Sequence, residues 1–379
     1  MLIFQITFWL SLFIVFWTYF GYGLVLWLIS LFYSRKMNKQ DFFPEVSLIV
    51  TAYNEERRIT QKIENALALA YPRDSFEIIV VSDGSNDKTE ELVSSFQDKG
   101  VQLLASPARH GKHYSQGQGI AMAKGEIIVL TDATTFLEID AVEKIVRNFA
   151  DPKIGCVSGT DRVMDIKSHS GGEGQYVKYE MKLRALESKV GSLVGVSGCF
   201  FAVRKKLCQI WHDNMSSDFY LPIISHMKGY RAIMEPEAIG FYEVLKNPQE
   251  EFGRKVRTVV HGLEVLFKFG QIMNPFKYGI YSWQMVSHKL LRWLVPICLI
   301  LLFVANLFLL SENLIYRILF FSQVMFYLAA LLGYLVKKLQ DTALFRIPCF
   351  FVITNFSIIV GWYKFIIGER YVMWEPTKR

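Results

Sequence analysis

The run VSLIVTAYNEE at residues 46–56, followed by IIVVSDGSNDKTEE at residues 78–91, decides the fold. Each opens as an almost unbroken stretch of Val, Ile and Leu and closes on acidic and small polar residues. Strands of that composition are buried on both faces, as in a parallel sheet with helical crossovers. Three strands are expected, Val46–Thr51, Glu77–Ser82 and Glu126–Thr131, the last ending on Asp132. Helices are expected from about Glu56 to Leu69 and from about Lys88. This alternation predicts an α/β domain over residues 44–250 with a mostly parallel sheet. Ligands of such sheets sit beyond the carboxyl ends of the strands. Those ends carry Tyr53-Asn54-Glu55, Asp83-Gly84-Ser85 and Asp132.

The residues around this domain are of another kind. Of the 379 residues 52% are hydrophobic and 20% charged, so the apolar ones must cluster. No Asp, Glu, Lys or Arg occurs from Leu2 to Tyr33. A spanning helix needs about 20 apolar residues, and this run is too long and too aromatic for a signal peptide. Residues 1–33 are therefore expected to form an N-terminal transmembrane helix. Apolar runs at about 294–310, 315–336 and 344–367 predict a C-terminal transmembrane region, 294–367, of two or three spans. Arg346 and Pro348 in the third run leave both a crossing and a re-entrant segment open.

Between domain and spans, residues 251–293 set Phe252, Val256, Val259, Val260, Leu263 and Phe267 on one helical face and Arg254, Lys255, Arg257 and His261 on the other. That pattern predicts amphipathic helices at the membrane interface, with an ordinary surface helix as the alternative. A basic tail follows, 368–379. The formal net charge is +7, and its Lys and Arg cluster beside apolar runs, at Arg35, Lys36 and Lys39, at Lys289 and Arg292, and at Lys337 and Lys338. This is the positive-inside pattern rather than a nucleic-acid footprint. It predicts a multi-pass protein of the cell (inner or plasma) membrane with residues 44–250 in the cytoplasm. The five cysteines, 156, 199, 208, 298 and 349, include no closely spaced pair, and they read as small buried residues.

Five segments carry candidate chemistry. Carboxylates past the first two strands accept hydrogen bonds from ribose hydroxyls or a ring N–H, although Asp83 or Asp87 can instead cap the following helix. In SPARHGKHYSQG (106–117) a flexible basic loop with Lys112 suits a diphosphate, or is a solvated surface loop. In GEIIVLTDATTF (125–136) Asp132 stands where a metal-bridging carboxylate would, with Thr134 at the second acidic position. Asp218, in MSSDFYLP (215–222), reads as a general base for an acceptor hydroxyl or as a helix cap. In SHKLLRWLVP (287–296) Lys289, Arg292 and Trp293 share a helical face. They suit stacking on a sugar and neutralising a diphosphate, and equally a membrane anchor.

In this order the segments resemble the family 2 glycosyltransferases, in particular the membrane-integrated branch with the cellulose, hyaluronan and poly-N-acetylglucosamine synthases. The resemblance covers about residues 44–293. It implies a GT-A-type nucleotide-sugar-binding fold and an inverting mechanism assisted by Mg2+ or Mn2+. Residue by residue, it implies that Thr51, Tyr53, Glu55 and Asp83 hold the nucleoside and that Lys112 reaches the diphosphate. Asp132 matches the first acid of the Asp-x-Asp motif and is the metal ligand; Asp218 matches the general base. Gly198, in SGCFFAVRK (197–205), matches an acceptor-side segment, and Lys289, Arg292 and Trp293 fall on Gln-x-x-Arg-Trp. Three positions depart from the pattern: Thr134 for Asp, Ser217 for an acid and Lys289 for Gln.

The function this implies is transfer of a sugar from a nucleotide-diphospho-sugar, a UDP-sugar being expected first, to a growing polysaccharide or oligosaccharide at the membrane. Transfer of one sugar to a polyprenyl phosphate or lipid-linked acceptor is the alternative, and a degenerate non-catalytic relative ranks last. The partners implied are the donor, a membrane lipid or glycan acceptor and the bilayer, with no nucleic acid. Three or four spans offer little wall for a polymer channel, which leaves room for a homo-oligomer or a partner subunit.

Overall fold

A computed structural model of the chain describes residues 1–35, 38–164, 172–243 and 247–371. Lys36 of the first basic flank and the tail beyond Tyr371 lie outside the described residues. The chain opens with a long helix, α1 (Leu2–Phe32), carrying a π-turn at Trp17–Gly21. The apolar runs then form the expected strands: β1 (Val46–Ala52), β2 (Phe76–Ser82), β3 (Val101–Ala105) and β4 (Ile127–Asp132). These four are mutually parallel, in the order β3-β2-β1-β4. Their crossovers are α2 (Ile59–Leu67), α3 (Thr89–Ser94) and α4 (Lys112–Met122). The sheet continues through β5 (Thr135–Leu137), β6 (Ile154–Val163), β7 (Phe200–Arg204) and β8 (Arg231–Tyr242), giving the order β3-β2-β1-β4-β7-β6-β8-β5. In this second half β7 runs antiparallel to both β4 and β6, β6 and β8 are parallel, and β5 is antiparallel to β8.

Alternation along the strands feeds two cores. Leu48, Val50, Val80 and Val129 face α2, α3 and the helix α5 (Ala141–Val146), where Ile63, Val93 and Ile145 are buried. Ile49, Val81, Leu130 and Val203 face the other way, onto α4 and α7 (Ser217–Met227). Here α6 denotes the helix Gly172–Val190. The second core does not stop at the domain edge. It runs on into α8 (Pro248–Lys268), α9 (Ile280–Leu309) and α11 (Ala343–Ile366), through Leu263, Met285, Trp293 and Ile358. With α10 (Leu314–Leu335), the helices α1, α9 and α11 are the four described ones long and apolar enough to cross a membrane. They pack against one another through small and aromatic contacts. Phe4 stacks on Phe308 at 4.5 Å, and the Trp9 indole donates to Tyr316 Oη at 3.2 Å.

Three segments gain detail over the sequence reading. The span expected from residue 294 belongs to a helix that starts at Ile280 and bulges in a π-turn at Val286–Leu290. Its polar residues do not end it, because side chains of α6 pair with them, as described below. Val256, Val259, Val260 and Leu263 on the apolar face of α8 are buried, while Phe267 is exposed; Val259 presses on α11, where a Cβ on Gly361 would come within 2.6 Å of it. The last apolar run is one unbroken helix of 24 residues, with Arg346 and Pro348 in its first turns.

Candidate active site

The residues expected on the donor side gather at the carboxyl ends of β1, β2 and β4, as the register of those strands requires. Thr51 is buried and lies opposite Asp132. Asp83 caps no helix. Its Oδ1 accepts from His110 N (2.9 Å) and Ser115 Oγ (3.1 Å), and its Oδ2 from Gly111 N (2.9 Å). The carboxylate thereby fastens the basic loop to the end of β2. Gly84 is required there, with φ of 69° and no room for a Cβ, which would lie 2.7 Å from the Ala108 carbonyl carbon. Helix capping falls to Asp87, which accepts from Thr89 N at 2.9 Å. Glu55 is buried, its amide donating to Thr89 Oγ1 at 2.8 Å. The Arg109 guanidinium lies over the Tyr53 ring, 4.0 Å from its centroid. The two are thus stacked on each other at the ends of β1 and the basic loop.

Asp132 is held between two lysines. From the first turn of α4, Lys112 Nζ reaches Asp132 Oδ1 at 2.5 Å and donates to Gly198 O at 3.0 Å. It thus bridges Asp132 and the Gly198 segment. Beneath the strand end lies Lys62 of α2, fully buried, donating to Thr131 Oγ1 at 3.2 Å and to the Thr135 carbonyl. Burial pushes Lys62 down to about 7, against the field of Asp132, which holds it up. Sequence reading gave Lys62 no role: a lysine on an amphipathic helix looks like a solvated residue, and only the fold turns it inward. Asp132 Oδ2 has no partner among the described residues, and Thr134 beside it is nearly buried. Among those residues no group of three or more His, Cys, Asp or Glu side chains is spaced to hold a metal. Mg2+ in nucleotide sites takes one or two carboxylates and fills its shell with phosphate oxygens and water. One open carboxylate therefore fits a divalent ion that arrives with a diphosphate.

Across Gly198 stands Asp218, in the first turn of α7. A Cβ on Gly198 would lie 3.2 Å from Asp218 Oδ2, so the missing side chain keeps that carboxylate accessible. Ser216 Oγ donates to Asp218 Oδ1, and Val196 N donates to Asp218 O at 2.9 Å. Ser217 turns away from the site and donates to Gln116 Oε1 at 2.8 Å. The acid expected from the family pattern at 217 is thus replaced by a contact that ties α7 to α4. His113 adds no charge to the basic loop: burial, then His261 and Lys112, hold it down at about 3.

Two charged residues that sequence reading missed complete this side. Asp161, bonded by Ser197 Oγ at 2.5 Å, is raised by burial, with Arg184 and the Ser197 bond opposing and Asp132 and Asp218 adding to the rise. Arg184 of α6 pairs with Glu180 one turn earlier, Nε to Oε1 at 3.6 Å. Arg204, after the Gly198 segment, is structural; it donates to the carbonyls of Ile154 (2.8 Å) and Phe149 (2.6 Å).

Lys289, Arg292 and Trp293 divide in two. Lys289 and Trp293 both flank Phe219, the neighbour of Asp218, at 5.3 and 6.0 Å. Lys289 Nζ would lie 3.5 Å from a Cβ on Gly195, and it makes no ion pair among the described residues. Trp293 is only 8% exposed and lies against Gly262, so it packs rather than offering an open stacking face. Arg292 turns to α6, donating to Tyr176 Oη and Glu180 Oε2, both at 2.9 Å. One turn earlier, His288 is wedged between two carboxylates, Glu187 Oε1 at 2.7 Å and Glu180 Oε1 at 3.0 Å. Tyr22 of α1 donates to the same Glu187 oxygen at 2.6 Å. A buried polar seam thus joins the domain to two membrane-length helices. The spacing of Glu180, Arg184 and Glu187 on one face of α6 was its only signal in the sequence.

Residues 47–211 match the family model described as Glycosyl transferase family 2. Residues 47–211 form a glycosyltransferase family 2 domain. The chain is 28% identical over 246 residues to the poly-beta-1,6-N-acetyl-D-glucosamine synthase of Staphylococcus aureus, an alignment covering 62% of this chain and 59% of that protein. It is 24% identical to the synthase of the same name in Staphylococcus epidermidis, over 88% of this chain and 79% of that one. The chain thus spans about three fifths of the length of the S. aureus relatives it matches. The mannosyltransferase PcManGT from Pyrobaculum calidifontis, solved with GDP-Man and Mn2+, superposes with a TM-score of 0.72 at 22% identity, covering 95% of this chain and 99% of that one. At that identity the likeness establishes the fold, a GT-A-like glycosyltransferase domain carried with membrane-length helices.

Proposed function

We propose that this chain moves a hexosyl group from a nucleotide-diphospho-sugar, with inversion, to a glycan acceptor at the membrane. The observation that carries this reading is the bridge from Lys112 to both Asp132 and Gly198, with Asp218 facing Gly198 from the far side. It brings a donor-side acid, a cation and an acceptor-side acid to one point. The nucleoside lies along the ends of β1 and β2, near Thr51, Tyr53 and Glu55, with the loop fastened by Asp83. Asp132 would hold Mg2+ or Mn2+, which neutralises diphosphate charge when bound. Lys112 leaves Asp132 for the diphosphate, and Asp218 takes the proton of the acceptor hydroxyl. The acceptor oxygen then bonds to the anomeric carbon as the bond from that carbon to the diphosphate oxygen breaks, and the nucleoside diphosphate departs. The S. aureus and S. epidermidis synthases support a polymeric N-acetylglucosamine product. The four apolar helices and the basic flanks support a cell-membrane protein with its catalytic domain in the cytoplasm.

A specific feature favours the second reading, transfer to a polyprenyl phosphate or other lipid-linked acceptor. Lys289 is a cation without an ion-pair partner among the described residues, beside Gly195 and close to Asp218, where an anionic acceptor would find it. The product separates the two: a ladder means polymer, a single extractable glycolipid means one transfer. The shared mechanism is tested by Asp218→Asn, which should cut turnover by about 1,000-fold while nucleotide binding stays at the wild-type level. Unchanged turnover in that variant overturns the assignment.

A further inference from the structure

Lys62 has no counterpart among the roles assigned so far, and its surroundings are unusual. A lysine is almost never fully buried unless it is paired, yet Lys62 is 0% exposed. Its nitrogen donates to Thr131, the last residue before Asp132, and to the carbonyl of Thr135, the first residue of β5. Both ends of the turn Asp132-Ala133-Thr134 are therefore tied to one atom. Asp132 is also the carboxylate whose field acts most strongly on Lys62. One helical turn further along α2, Asn65 makes a similar staple: its amide donates to Leu137 O and accepts from Leu137 N, both at 2.8 Å. The two staples come from one helix and grip the same short strand. Only that of Lys62 lies under the donor-side acid.

We propose that Lys62 is a positioning residue for the donor site, holding the Asp132–Thr134 turn from beneath so that Asp132 meets the metal-bound diphosphate once Lys112 has moved off it. This rests on the donor-site reading given above. Lys112 now occupies Asp132 Oδ1. When it leaves, Asp132 keeps its place through the two bonds of Lys62, with no dependence on a second acid at position 134. The departure from the Asp-x-Asp pattern at Thr134 is thereby answered from inside the fold.

The test compares Lys62→Met with Asn65→Leu in the full chain, purified in detergent or nanodiscs. Binding of UDP and of GDP is measured by calorimetry with and without Mn2+, alongside melting temperature and, for the sugar nucleotide that wild type turns over, KM and kcat. Both variants should lower the melting temperature. Lys62→Met should weaken Mn2+-dependent nucleotide binding by about tenfold or more and raise KM, as loss of an outer-shell partner does; Asn65→Leu should bind as wild type. Equal nucleotide affinities in the two variants, with only stability lost, overturn the proposal and leave Lys62 a structural staple. If wild type itself binds neither nucleotide with Mn2+, the donor-site reading falls first and this inference with it. Should Lys62→Met not fold, Lys62→Gln, which keeps a donor, takes its place under the same criterion.

Discussion

The donor half and the acceptor half of the site are built by different means. On the donor side, polar groups are answered close to where the chain supplies them. Asp83 takes amides of the loop after β3, and Asp87 caps the helix it precedes. On the acceptor side, buried charges are answered by side chains far away in sequence: Glu180 by Arg292, 112 residues on, and Glu187 by His288 and by Tyr22, 165 residues back. The donor half needs only the sheet and its crossover helices. The charge seam beside Asp218 exists only when α6, α9 and α1 have assembled, so the acceptor half depends on the membrane-length helices in a way the donor half does not. Asp218 belongs to the domain, but Lys289 beside it belongs to α9.

Substitutions in each half should therefore fail differently. Asp132→Asn should lower kcat/KM by about 100-fold or more and weaken Mn2+-dependent nucleotide binding, as loss of a charge at the diphosphate does. Its melting temperature should stay near wild type, which a thermal-shift series would check. Glu187→Ala strands the Tyr22 hydroxyl in a buried seam and leaves His288 with Glu180 alone, and removing one partner of a buried pair costs about 3–5 kcal/mol. It should show as a large fall in melting temperature in detergent; a variant as stable as wild type would break the contrast between the halves.

The seam also has a pH signature. Burial alone would raise Glu180, but His288 and Arg292 more than offset it and hold its carboxyl well below the ordinary range. A carboxyl depressed on folding stabilises fully above its ordinary unfolded value and loses that contribution as pH falls through the folded value. The contribution of Glu180 to the melting temperature should thus be full and independent of pH near neutrality and be lost only in acid. In Glu180→Gln the acid limb of that curve should flatten.

Smaller effects sharpen the acceptor side. Lys289→Gln should raise KM for a phosphate-bearing acceptor by about tenfold, the scale of one charge-assisted contact, while donor KM holds. No change with such an acceptor would favour a neutral glycan. Gly198→Ala sets a methyl group 3.2 Å from Asp218 Oδ2. It should lower kcat a few-fold with little change in donor affinity, read from steady-state kinetics.

The same division explains what was legible in the sequence. The strands around Val46, Phe76 and Ile127 and the acids at their ends could be read because runs of Val, Ile and Leu have few other uses, and because the strand end itself places Asp132 and Thr51 side by side. Lys112 and Asp218 were found through the order of their motifs. Lys62 could not be read, since helical spacing says which face a residue occupies and not what the fold lays against it. Glu180 and His288 were hidden for a similar reason: each looks like a surface group until its partner, more than a hundred residues away, closes over it. The start of α9 at Ile280 was obscured by the same polar residues, which made the stretch before residue 294 look too hydrophilic to belong to a span.

The most direct test of the account uses the full chain in nanodiscs with labelled UDP-N-acetylglucosamine and GDP-mannose, each with Mn2+ and a membrane lipid extract. Label transferred to a glycan or glycolipid is measured for wild type and Asp218→Asn, together with nucleotide affinity. The account predicts that wild type transfers label from one of these donors, and that Asp218→Asn binds the same nucleotide as tightly yet transfers almost none. Transfer by Asp218→Asn at the wild-type rate, or a wild-type protein that binds neither nucleotide, would contradict it.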